Sequence, residues 1–333
     1  MEKFNWKNKK VLVTGADGFI GSHLSEQLVK LGAKVRAMVY YNAFGRWGWL
    51  DSSDLYKEMD IFLGDITDRD SAYQAVSGQE IIFHLAALIG IPYSYHAPAS
   101  YVQTNIMGTL NLLQAAKEMG VKRFIQTSTS ETYGTAQYTP IDEKHPLQGQ
   151  SPYAASKIGA DKMVESFYLS FNLPTIIVRP FNTYGPRQSA RAVIPAVITQ
   201  ALTKKVVDIG ATSPIRDLSY VQDVVSGFIA AGETGRKAFG EVFNIGSGNE
   251  ISIADLAQLI VRLIGKRVRI KSVPERFRPE KSEVTRLLAD NTKARNILGW
   301  KPNFDLEKGL EQTIKWFRNP KHLNLYKIDR YII

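Results

Sequence analysis

Short apolar runs bounded by glycine or proline recur along this chain and predict its strands. The runs lie near residues 10–14, 34–39, 60–63, 80–86, 122–127, 174–180 and 242–246. Several are nearly continuous in Val, Ile, Leu and Phe, which is typical of strands covered on both faces of a sheet. Between them, helical patterns lie at 22–31, 100–119, 152–171 and 218–233. The alternation predicts an α/β fold with right-handed crossovers and a parallel, doubly wound sheet.

After residue 182 the pattern loosens, with more loops, glycine and proline. Helices are predicted at 192–204, 252–265 and 305–318, and we expect them to form a smaller, mixed C-terminal lobe. The first domain would comprise residues 1–182 together with about 217–243, and the second would comprise 183–216 and 244–333. Ligands of parallel sheets bind beyond the carboxyl ends of the strands, so one cleft is expected to collect the functional residues.

Composition narrows the classes of protein that this chain can represent. Its 333 residues, of which 44% are hydrophobic and 22% charged, are enough for a large core and are typical of a soluble globular protein. The chain has no cysteine, which excludes thiolate chemistry, and its five histidines show no metal-ligand spacing, so we predict no metal site. The net charge of +10 comes from scattered lysines and arginines, which indicates a basic surface and no nucleic-acid partner.

The N-terminal segment and the longest apolar run argue against a membrane partner. Residues 1–7 carry charge where a secretory signal would need an apolar core. The longest apolar run, 81–91, contains a histidine and is too short to span a bilayer. We therefore expect a cytoplasmic protein.

Three glycines predict a phosphate-binding turn. Gly15, Gly18 and Gly21 follow the strand predicted at 10–14 and precede the helical pattern at 22–31. Glycines at such a turn let the backbone approach a pyrophosphate, which lies at the N-terminus of the helix. The spacing is Gly-x-x-Gly-x-x-Gly rather than the usual Gly-x-Gly-x-x-Gly, so by itself the segment is equally compatible with a structural turn.

A Tyr/Lys pair and a nearby carboxylate indicate the chemistry. Tyr153 and Lys157 are four residues apart and share one face of a predicted helix. A nearby ammonium favours the phenolate and lowers the pKa of a tyrosine, which suits Tyr153 to remove a proton from a substrate hydroxyl during hydride transfer. Glu131 ends the run Ser-Thr-Ser-Glu. A simple alcohol oxidation does not need this carboxylate, so its presence indicates a second chemical step.

Together these features resemble the extended short-chain dehydrogenase/reductases, the NAD-dependent sugar-nucleotide epimerases and dehydratases. The matching segments are the Gly15 loop, 84–87, Asn105, the Thr129 segment, Tyr153 with Lys157, 179–186, 216–221 and 244–248. They follow the family's order over nearly the whole chain. The resemblance implies a Rossmann-like domain, an NAD cofactor and a nucleotide-sugar substrate held by the smaller lobe.

The resemblance also assigns residues to roles. The implied catalytic residues are Thr129, Ser130, Glu131, Tyr153 and Lys157. The implied cofactor-binding residues are Gly15, Asp17, Gly18, Phe19, Ile20, Gly21, Asp65, Ile66, Leu85, Ala86, Ala87, Thr127, Tyr153, Lys157 and Pro180. The implied substrate ligands are Asn182, Arg191, Arg216 and Arg278. Guanidinium groups suit a diphosphate because they pair with it in bidentate fashion. A homodimer through the helices near 100–119 and 152–171 is implied as well.

The choice between NAD and NADP is less clear from the sequence. NAD-binding proteins of this kind usually end the second strand with an acid that binds the ribose, and here Val39 occupies that position. NADP-binding members usually carry arginines there, whereas this chain has Tyr40 and Tyr41. We expect NAD and leave NADP open, since Arg36 or Arg46 could meet a ribose phosphate.

Two resemblances point to different reactions. The triplet of Thr129, Ser130 and Glu131 looks like that of the UDP-glucuronate decarboxylases, because 4,6-dehydratases typically carry Thr-Asp-Glu. Segments 40–42, 47–50, 91–96, 143–161 and 180–192 together resemble the nucleotide-activated N-acetylglucosamine 4,6-dehydratases of legionaminic acid biosynthesis. We follow the wider resemblance and predict a lyase that converts UDP- or GDP-N-acetylglucosamine to the 4-keto-6-deoxy sugar. A UDP-glucuronate decarboxylase, a nucleotide-sugar 4-epimerase and a non-catalytic NAD(P)-sensing protein remain as alternatives.

Overall fold

The computed structural model describes residues 4–327 as layers of helices around a parallel sheet. The strands are β1 (Lys10–Thr14), β2 (Lys34–Val39), β3 (Asp60–Leu63), β4 (Ile81–His84), β5 (Arg123–Thr127), β6 (Thr175–Pro180), β7 (Asn182–Tyr184), β8 (Val206–Ile209), β9 (Ile215–Tyr220), β10 (Val242–Ile245), β11 (Glu250–Ser252), β12 (Arg269–Ser272) and β13 (Arg286–Leu287). The α-helices are α1 (Phe19–Lys30), α2 (Arg69–Val76), α3 (Ile91–His96), α4 (Pro98–Tyr101), α5 (Gly108–Glu118), α6 (Pro152–Phe171), α7 (Val193–Thr203), α8 (Val221–Glu233), α9 (Ile253–Ile264), α10 (Leu306–Phe317) and α11 (Pro320–Leu323).

Seven strands form the main sheet, in the order β10-β6-β5-β4-β1-β2-β3. All six pairings are parallel. The chain winds outward in both directions from β1, which pairs with β2 on one side and β4 on the other. A crevice at the carboxyl ends of the strands next to such a switch point is the usual ligand site. The predicted α/β fold with a doubly wound parallel sheet is confirmed.

The sheet is covered on both faces, which explains why its strands are apolar throughout. Side chains alternate across a strand, so Val11 and Val13 join one buried cluster while Leu12 joins another on the opposite face. Every residue of β6 is buried. Helix α6 starts at a side-chain cap. The side chain of Ser151 accepts a hydrogen bond from Ala154 N at 3.1 Å, and Pro152 takes the first position of α6.

The helix predicted at 100–119 is interrupted. The chain forms α4, then a π-helical turn at Val102–Met107, and only then α5. The helix predicted at 218–233 starts later than expected, because the chain is still extended in β9 up to Tyr220. Both errors arise because the spacing of apolar residues is ambiguous. It does not distinguish a π turn from an α turn, and it does not show where a buried strand ends and the adjoining helix begins.

The later part of the chain builds two small sheets and packs helices against them. β9 pairs with β7, β11 and β13, and β8 pairs with β12. The helices predicted at 192–204, 252–265 and 305–318 correspond to α7, α9 and α10. The strands of these two sheets were not predicted. β7, β11 and β13 have only two or three residues, and β9 is interrupted by polar residues. The proposed division into two domains stays a prediction, and its ends at 1–3 and 328–333 lie outside the described residues.

Two further observations concern the same part of the chain. Within residues 4–327 no helix has the length and apolar character needed to cross a bilayer. Among these residues there is also no group of three or more His, Asp or Glu side chains arranged to hold a metal ion.

Candidate active site

The predicted cofactor residues lie together at the carboxyl edge of the main sheet. Gly15, Asp17 and Gly18 connect β1 to α1, and residues 19–21 form the first turn of that helix. The others follow or end the neighbouring strands: Asp65 and Ile66 after β3, Leu85 to Ala87 after β4, Thr127 at the end of β5, and Pro180 at the end of β6. The fold therefore brings together residues that are up to 165 positions apart in the sequence.

The glycine turn has no room for side chains. Gly15 has a φ of +67°, and a Cβ atom there would lie 2.8 Å from the backbone nitrogen of Ala86. A Cβ atom on Gly21 would lie 2.1 Å from the carbonyl oxygen of Gly15. No side chain of the described residues caps α1, and its first turn contains no acid. The helix amides thus remain able to bind an anion such as a phosphate.

A hydrogen-bonded chain holds the adjacent strand end in place. Thr14 Oγ1 accepts from the backbone N–H groups of Leu85 and Ala86, each at 3.1 Å. His84 lies 2.8 Å from Thr14 Oγ1 through Nδ1 and 3.0 Å from Thr109 Oγ1 through Nε2. Burial, followed by the charge of Lys157, lowers the pKa of His84 to about 3. His84 is therefore a neutral structural residue.

Tyr153 and Lys157 lie on the buried face of α6, only 7% and 4% exposed. Burial raises the pKa of the Tyr153 hydroxyl, and its hydrogen bond with Thr129 partly opposes this. Burial lowers the pKa of Lys157 to about 8, against the opposing effect of Asp161. In the chain without a cofactor, removing the hydroxyl from water disfavours the phenolate more than its neighbours favour it. The expected fall in the pKa of Tyr153 also relies on the positive charge of an oxidised nicotinamide, and it stays a prediction.

The predicted Thr-Ser-Glu triplet forms the start of a short 3₁₀ helix directly after β5. Thr129 caps this helix, its Oγ1 accepting a hydrogen bond from Glu131 N at 3.3 Å. Ser130 and Glu131 are buried, with exposed fractions of 2% and 8%. Thr129 contacts the hydroxyl of Tyr153, and the charge of Glu131 acts on the same hydroxyl. The structure thus brings the predicted catalytic groups from β5 and α6 together.

Two arginines connect Glu131 to a neighbouring cavity. Arg278 Nη1 lies 3.6 Å from Glu131 Oε1 and 3.6 Å from Glu283 Oε1. Arg216 Nη2 lies 3.0 Å from Glu283 Oε1, and its side chain is 6% exposed. Arg216 lies close enough to Glu131 for the carboxylate to oppose the fall in its pKa that burial causes. Glu283, which the sequence did not single out, is therefore held between two predicted substrate ligands.

All four predicted substrate ligands line one cavity of about 440 Å³. They are Asn182, Arg191, Arg216 and Arg278. Tyr95 lines the same cavity, and its hydroxyl lies 2.6 Å from Ser282 Oγ. A second cavity, of about 500 Å³, is lined by residues such as Glu143 and Lys293 and contains none of the predicted site residues. The first cavity carries the cations, and one of them, Arg278, pairs with Glu131.

A buried ion pair lies behind the catalytic face of α6. Arg179 Nη2 lies 2.8 Å from Asp161 Oδ2, and both side chains are only 3% exposed. Ser128 Oγ donates to the same carboxylate oxygen. Asp161 follows Lys157 by one helical turn, and its charge favours the protonated form of that lysine. The sequence shows that residues 153, 157 and 161 are four positions apart, but it does not show that their side chains are buried.

The end of β2 carries neither signature of cofactor preference. Val39 is buried, with 1% of its surface exposed. Arg36 is held by Asp60 Oδ2 at 2.7 Å and also donates to the backbone carbonyls of residues 74, 75 and 77, so it is unavailable to a ribose phosphate. Arg46 is 75% exposed and lies 3.8 Å from Asp51.

Several buried polar atoms at the strand ends have no partner among the described residues. They include Thr127 Oγ1 at the end of β5 and Asn182 Oδ1 at the start of β7. Buried polar groups in native proteins are rarely unpaired, so such atoms fit a site that is completed by a polar ligand. Together with the uncapped amides of α1, they fit a dinucleotide bound along the carboxyl edge of the sheet.

Comparison with known proteins agrees with this arrangement. The family model described as GDP-mannose 4,6 dehydratase matches residues 12–313. The chain is 36% identical over 324 residues to a UDP-N-acetyl-alpha-D-glucosaminuronate decarboxylase of Bacillus cytotoxicus, covering 93% of this chain and 98% of that protein. It is 35% identical over 318 residues to a UDP-glucose 4-epimerase of Mycolicibacterium smegmatis, covering 93% and 99%.

Solved structures show the same architecture. A dTDP-glucose 4,6-dehydratase from Streptomyces venezuelae with NAD bound superimposes with a TM-score of 0.86 at 28% identity, covering 95% of this chain and 98% of that one. A UDP-glucuronic acid 4-epimerase from Bacillus cereus, in complex with UDP-glucuronic acid and NAD, gives 0.84 at 32% identity, covering 95% and 100%.

The doubly wound sheet, the glycine turn and the buried Tyr/Lys pair define a dinucleotide-binding enzyme fold. The chain belongs to the extended short-chain dehydrogenase/reductases, the NAD-dependent family of nucleotide-sugar epimerases, dehydratases and decarboxylases. The family resemblance seen in the sequence is confirmed.

Proposed function

We propose that this enzyme is a 4,6-dehydratase acting on UDP- or GDP-activated N-acetylglucosamine. Its product would be the 4-keto-6-deoxy sugar. The observation that carries the proposal is the position of Glu131, a buried carboxylate that acts on the Tyr153 hydroxyl and also lies 3.6 Å from Arg278 of the substrate cavity. A dehydratase needs a base beside the oxidised carbon, whereas a simple epimerase does not. The wider resemblance to the dehydratases of legionaminic acid biosynthesis supports the same substrate.

NAD is the proposed cofactor. Relatives of known structure bind it, and the free amides of α1 suit its pyrophosphate. Asp65, Ile66 and residues 85–87 would line the dinucleotide, with Thr127 and Pro180 near its reactive end. When bound, NAD accepts a hydride from carbon 4 of the sugar and returns it to carbon 6.

Tyr153 would take the proton of the hydroxyl on carbon 4. Thr129 contacts the Tyr153 hydroxyl, so it can orient that group and donate a hydrogen bond to the carbonyl that forms. Lys157, one helical turn away, supplies positive charge that favours the phenolate. Because burial raises the pKa of Tyr153 in the chain alone, the base form depends on positive charge brought into the site.

Glu131 would carry out the second step. The ketone at carbon 4 acidifies the proton on carbon 5, and the Glu131 carboxylate removes it. The hydroxyl on carbon 6 then leaves as water, for which a proton is required. Ser130 is a poor acid, so the proton that Glu131 has just taken can serve this purpose if both groups leave from the same side of the sugar. Carbon 5 then regains a proton from solvent, and Tyr153 returns to solvent the proton that it took from the carbon 4 hydroxyl, so the net change is the loss of one water.

The arginines would hold the nucleotide diphosphate. Arg216 and Arg278 each face carboxylates in the cavity, and Asn182 and Arg191 lie on its wall. Guanidinium groups pair readily with phosphate oxygens. A diphosphate would compete with Glu131 and Glu283 for Arg278, so substrate binding would release Glu131 from its ion pair and free it to act as a base.

A decarboxylase is the second candidate. The Thr-Ser-Glu triplet is the feature that favours it, and one relative at 36% identity is a decarboxylase of a related sugar acid. Decarboxylation would use the same 4-ketone but would not need a base at carbon 5. A 4-epimerase is also represented among the relatives. Epimerisation would not need Glu131, and its product would have the same atoms as the substrate.

The reactions are distinguished by product mass. The purified enzyme is incubated with a panel of UDP- and GDP-linked sugars, including N-acetylglucosamine and glucuronate derivatives. Loss of water from the N-acetylglucosamine nucleotides supports the proposal. Loss of carbon dioxide from a glucuronate supports the decarboxylase, and an isomer of unchanged mass supports the epimerase. Absence of any product from the whole panel would overturn the catalytic assignment.

We also propose that the enzyme is a homodimer and that residues 183–216 and 244–333 form the substrate lobe. The apolar side chains of Val102 and Met107, beside α5, are 50% and 39% exposed. A second copy of α5 and α6 would cover this face. Light scattering of the purified protein measures the mass directly, and a monomer at micromolar concentration would contradict the proposal.

A further inference from the structure

The adenosine end of the cofactor site lacks the residue that usually selects NAD. In Rossmann-type domains an acid at the end of the second strand binds the ribose hydroxyls. Here that position is the buried Val39, and the nearest cation on the strand, Arg36, is held by Asp60. The strand by itself therefore gives no preference between a ribose hydroxyl and a ribose phosphate.

A carboxylate reaches the same corner from the neighbouring loop. Asp17 lies between β1 and α1, and the residue before it, Ala16, donates its backbone N–H to the Met38 carbonyl of β2 at 3.1 Å. The backbone N–H of Tyr40 is close enough to the Asp17 carboxyl group to oppose the rise in its pKa that burial causes. Tyr40 is the first residue after β2. The Asp17 carboxyl group therefore lies beside the end of β2, the strand end at which NAD-selective Rossmann domains carry their acid.

The segment after β2 fixes Asp17 from the other side. Trp49 N donates to the Asp17 carbonyl at 3.1 Å. A Cβ atom on Gly48 would lie 2.5 Å from the same carbonyl oxygen and 2.9 Å from Asp17 Cβ. Gly48 has a φ of +58°, a conformation that favours glycine. The close approach holds the backbone of Asp17 beside the segment that follows β2.

Asp17 has no cationic partner among the residues that the structure describes. It is half-buried, and burial raises the pKa of its carboxyl group. A partly buried carboxylate is stabilised by hydrogen-bond donors. The two hydroxyls of a ribose are such donors, whereas a phosphate on the ribose would place a second negative charge next to the first.

We propose that Asp17 replaces the missing strand-end acid and selects NAD over NADP by accepting hydrogen bonds from the adenosine ribose and repelling a 2′-phosphate. This rests on the proposed binding of NAD. It makes a residue of the glycine turn, rather than of β2, the determinant of cofactor specificity.

The test compares cofactor binding in the wild-type protein and in Asp17→Asn. Asparagine keeps the size of the side chain and an acceptor for Tyr40 N but removes the charge. Each protein is titrated with NADH and with NADPH, and binding is followed by nicotinamide fluorescence. We expect the ratio of the NADPH Kd to the NADH Kd to fall by about 10-fold or more, the range for a lost interaction with a charged group. Asp17→Ser, which also lacks the charge, should lower the ratio in the same direction.

Asp51→Asn is the matched control. Asp51 belongs to the same segment, and its carboxylate accepts a hydrogen bond from Trp47 N at 3.0 Å. The control loses the same charge and keeps its hydrogen bond, so its ratio of the NADPH Kd to the NADH Kd should match that of the wild type. An unchanged ratio in both Asp17 variants, or an equal change in Asp51→Asn, would overturn the inference. Wild-type protein that binds NADPH as tightly as NADH would also overturn it, whereas wild-type protein that binds neither would overturn the proposed function itself.

Discussion

The buried pair of Asp161 and Arg179 allows a sharp prediction about stability. Asp161→Asn keeps the volume of the side chain and an oxygen that can accept from Ser128 Oγ. It leaves the Arg179 guanidinium without its carboxylate, which lies 2.8 Å away in the native protein, and both side chains are only 3% exposed. Water cannot replace the lost partner at that depth.

The expected cost is large because the remaining charge stays buried. Removing one partner of a buried ion pair typically costs about 3–5 kcal/mol, since an uncompensated charge remains. The ring of Tyr133, whose centroid lies 4.7 Å from the Arg179 guanidinium carbon, offsets part of this through a cation–π contact. Such contacts contribute about 0.5–2 kcal/mol and are already present in the native protein, so they do not remove the penalty.

A matched control lies on the same helix. Lys162 and Glu165 pair at 2.5 Å, but their side chains are 60% and 45% exposed. Glu165→Gln should therefore cost no more than about 1 kcal/mol, as is usual for a surface pair. Urea denaturation of both variants, followed by circular dichroism, measures the two losses. An Asp161→Asn loss as small as that of Glu165→Gln would show that the burial-based reasoning is wrong.

Three further predictions concern the catalytic face. Tyr153→Phe should lower turnover by about 100- to 10,000-fold with NAD binding retained, because it removes the base and little volume; steady-state rates and NADH titration measure the two effects. Glu131→Gln should still oxidise carbon 4, so reduced nicotinamide should accumulate to at most one equivalent per site while little 4-keto-6-deoxy product forms. Lys157→Met should have a larger free energy of unfolding than the wild type at pH 7, because burying the protonated lysine destabilises the folded wild-type protein. This gain should shrink between pH 8 and 10.5, from the folded pKa of about 8 towards the usual pKa of lysine.

Each of these predictions has an outcome that would contradict it. Near-normal turnover in Tyr153→Phe would remove the tyrosine from the mechanism. Normal product formation by Glu131→Gln would leave the carboxylate with only a structural part, at the start of its 3₁₀ helix. Thermal unfolding midpoints of Lys157→Met that differ from wild type by the same amount at pH 7 and pH 9.5 would mean that Lys157 keeps its ordinary pKa in the folded protein. Lys162→Met on the exposed face of α6 serves as the control for that comparison.

The sequence by itself determined the layered architecture and the class of enzyme. Apolar runs at 10–14 and 174–180 are covered on both faces, and such burial requires an almost unbroken apolar composition. The glycine turn was visible because Gly15 and Gly21 meet backbone at distances that exclude a side chain. The Tyr153 and Lys157 pair was visible because helical periodicity places residues four apart on one face. Residue type and spacing are therefore enough to predict local geometry of this kind.

Only the tertiary structure decided how distant charges meet. Nothing in the local sequence shows that Glu283 lies between Arg216 and Arg278, or that Asp161 is buried against Arg179. The raised pKa of Tyr153 and the reach of Asp17 to the end of β2 likewise depend on burial and on contacts between separate elements. Electrostatic energies depend on the distance between groups and on their exposure to water. Both quantities are set when the strands and helices pack, so residue types and spacing alone do not reveal them.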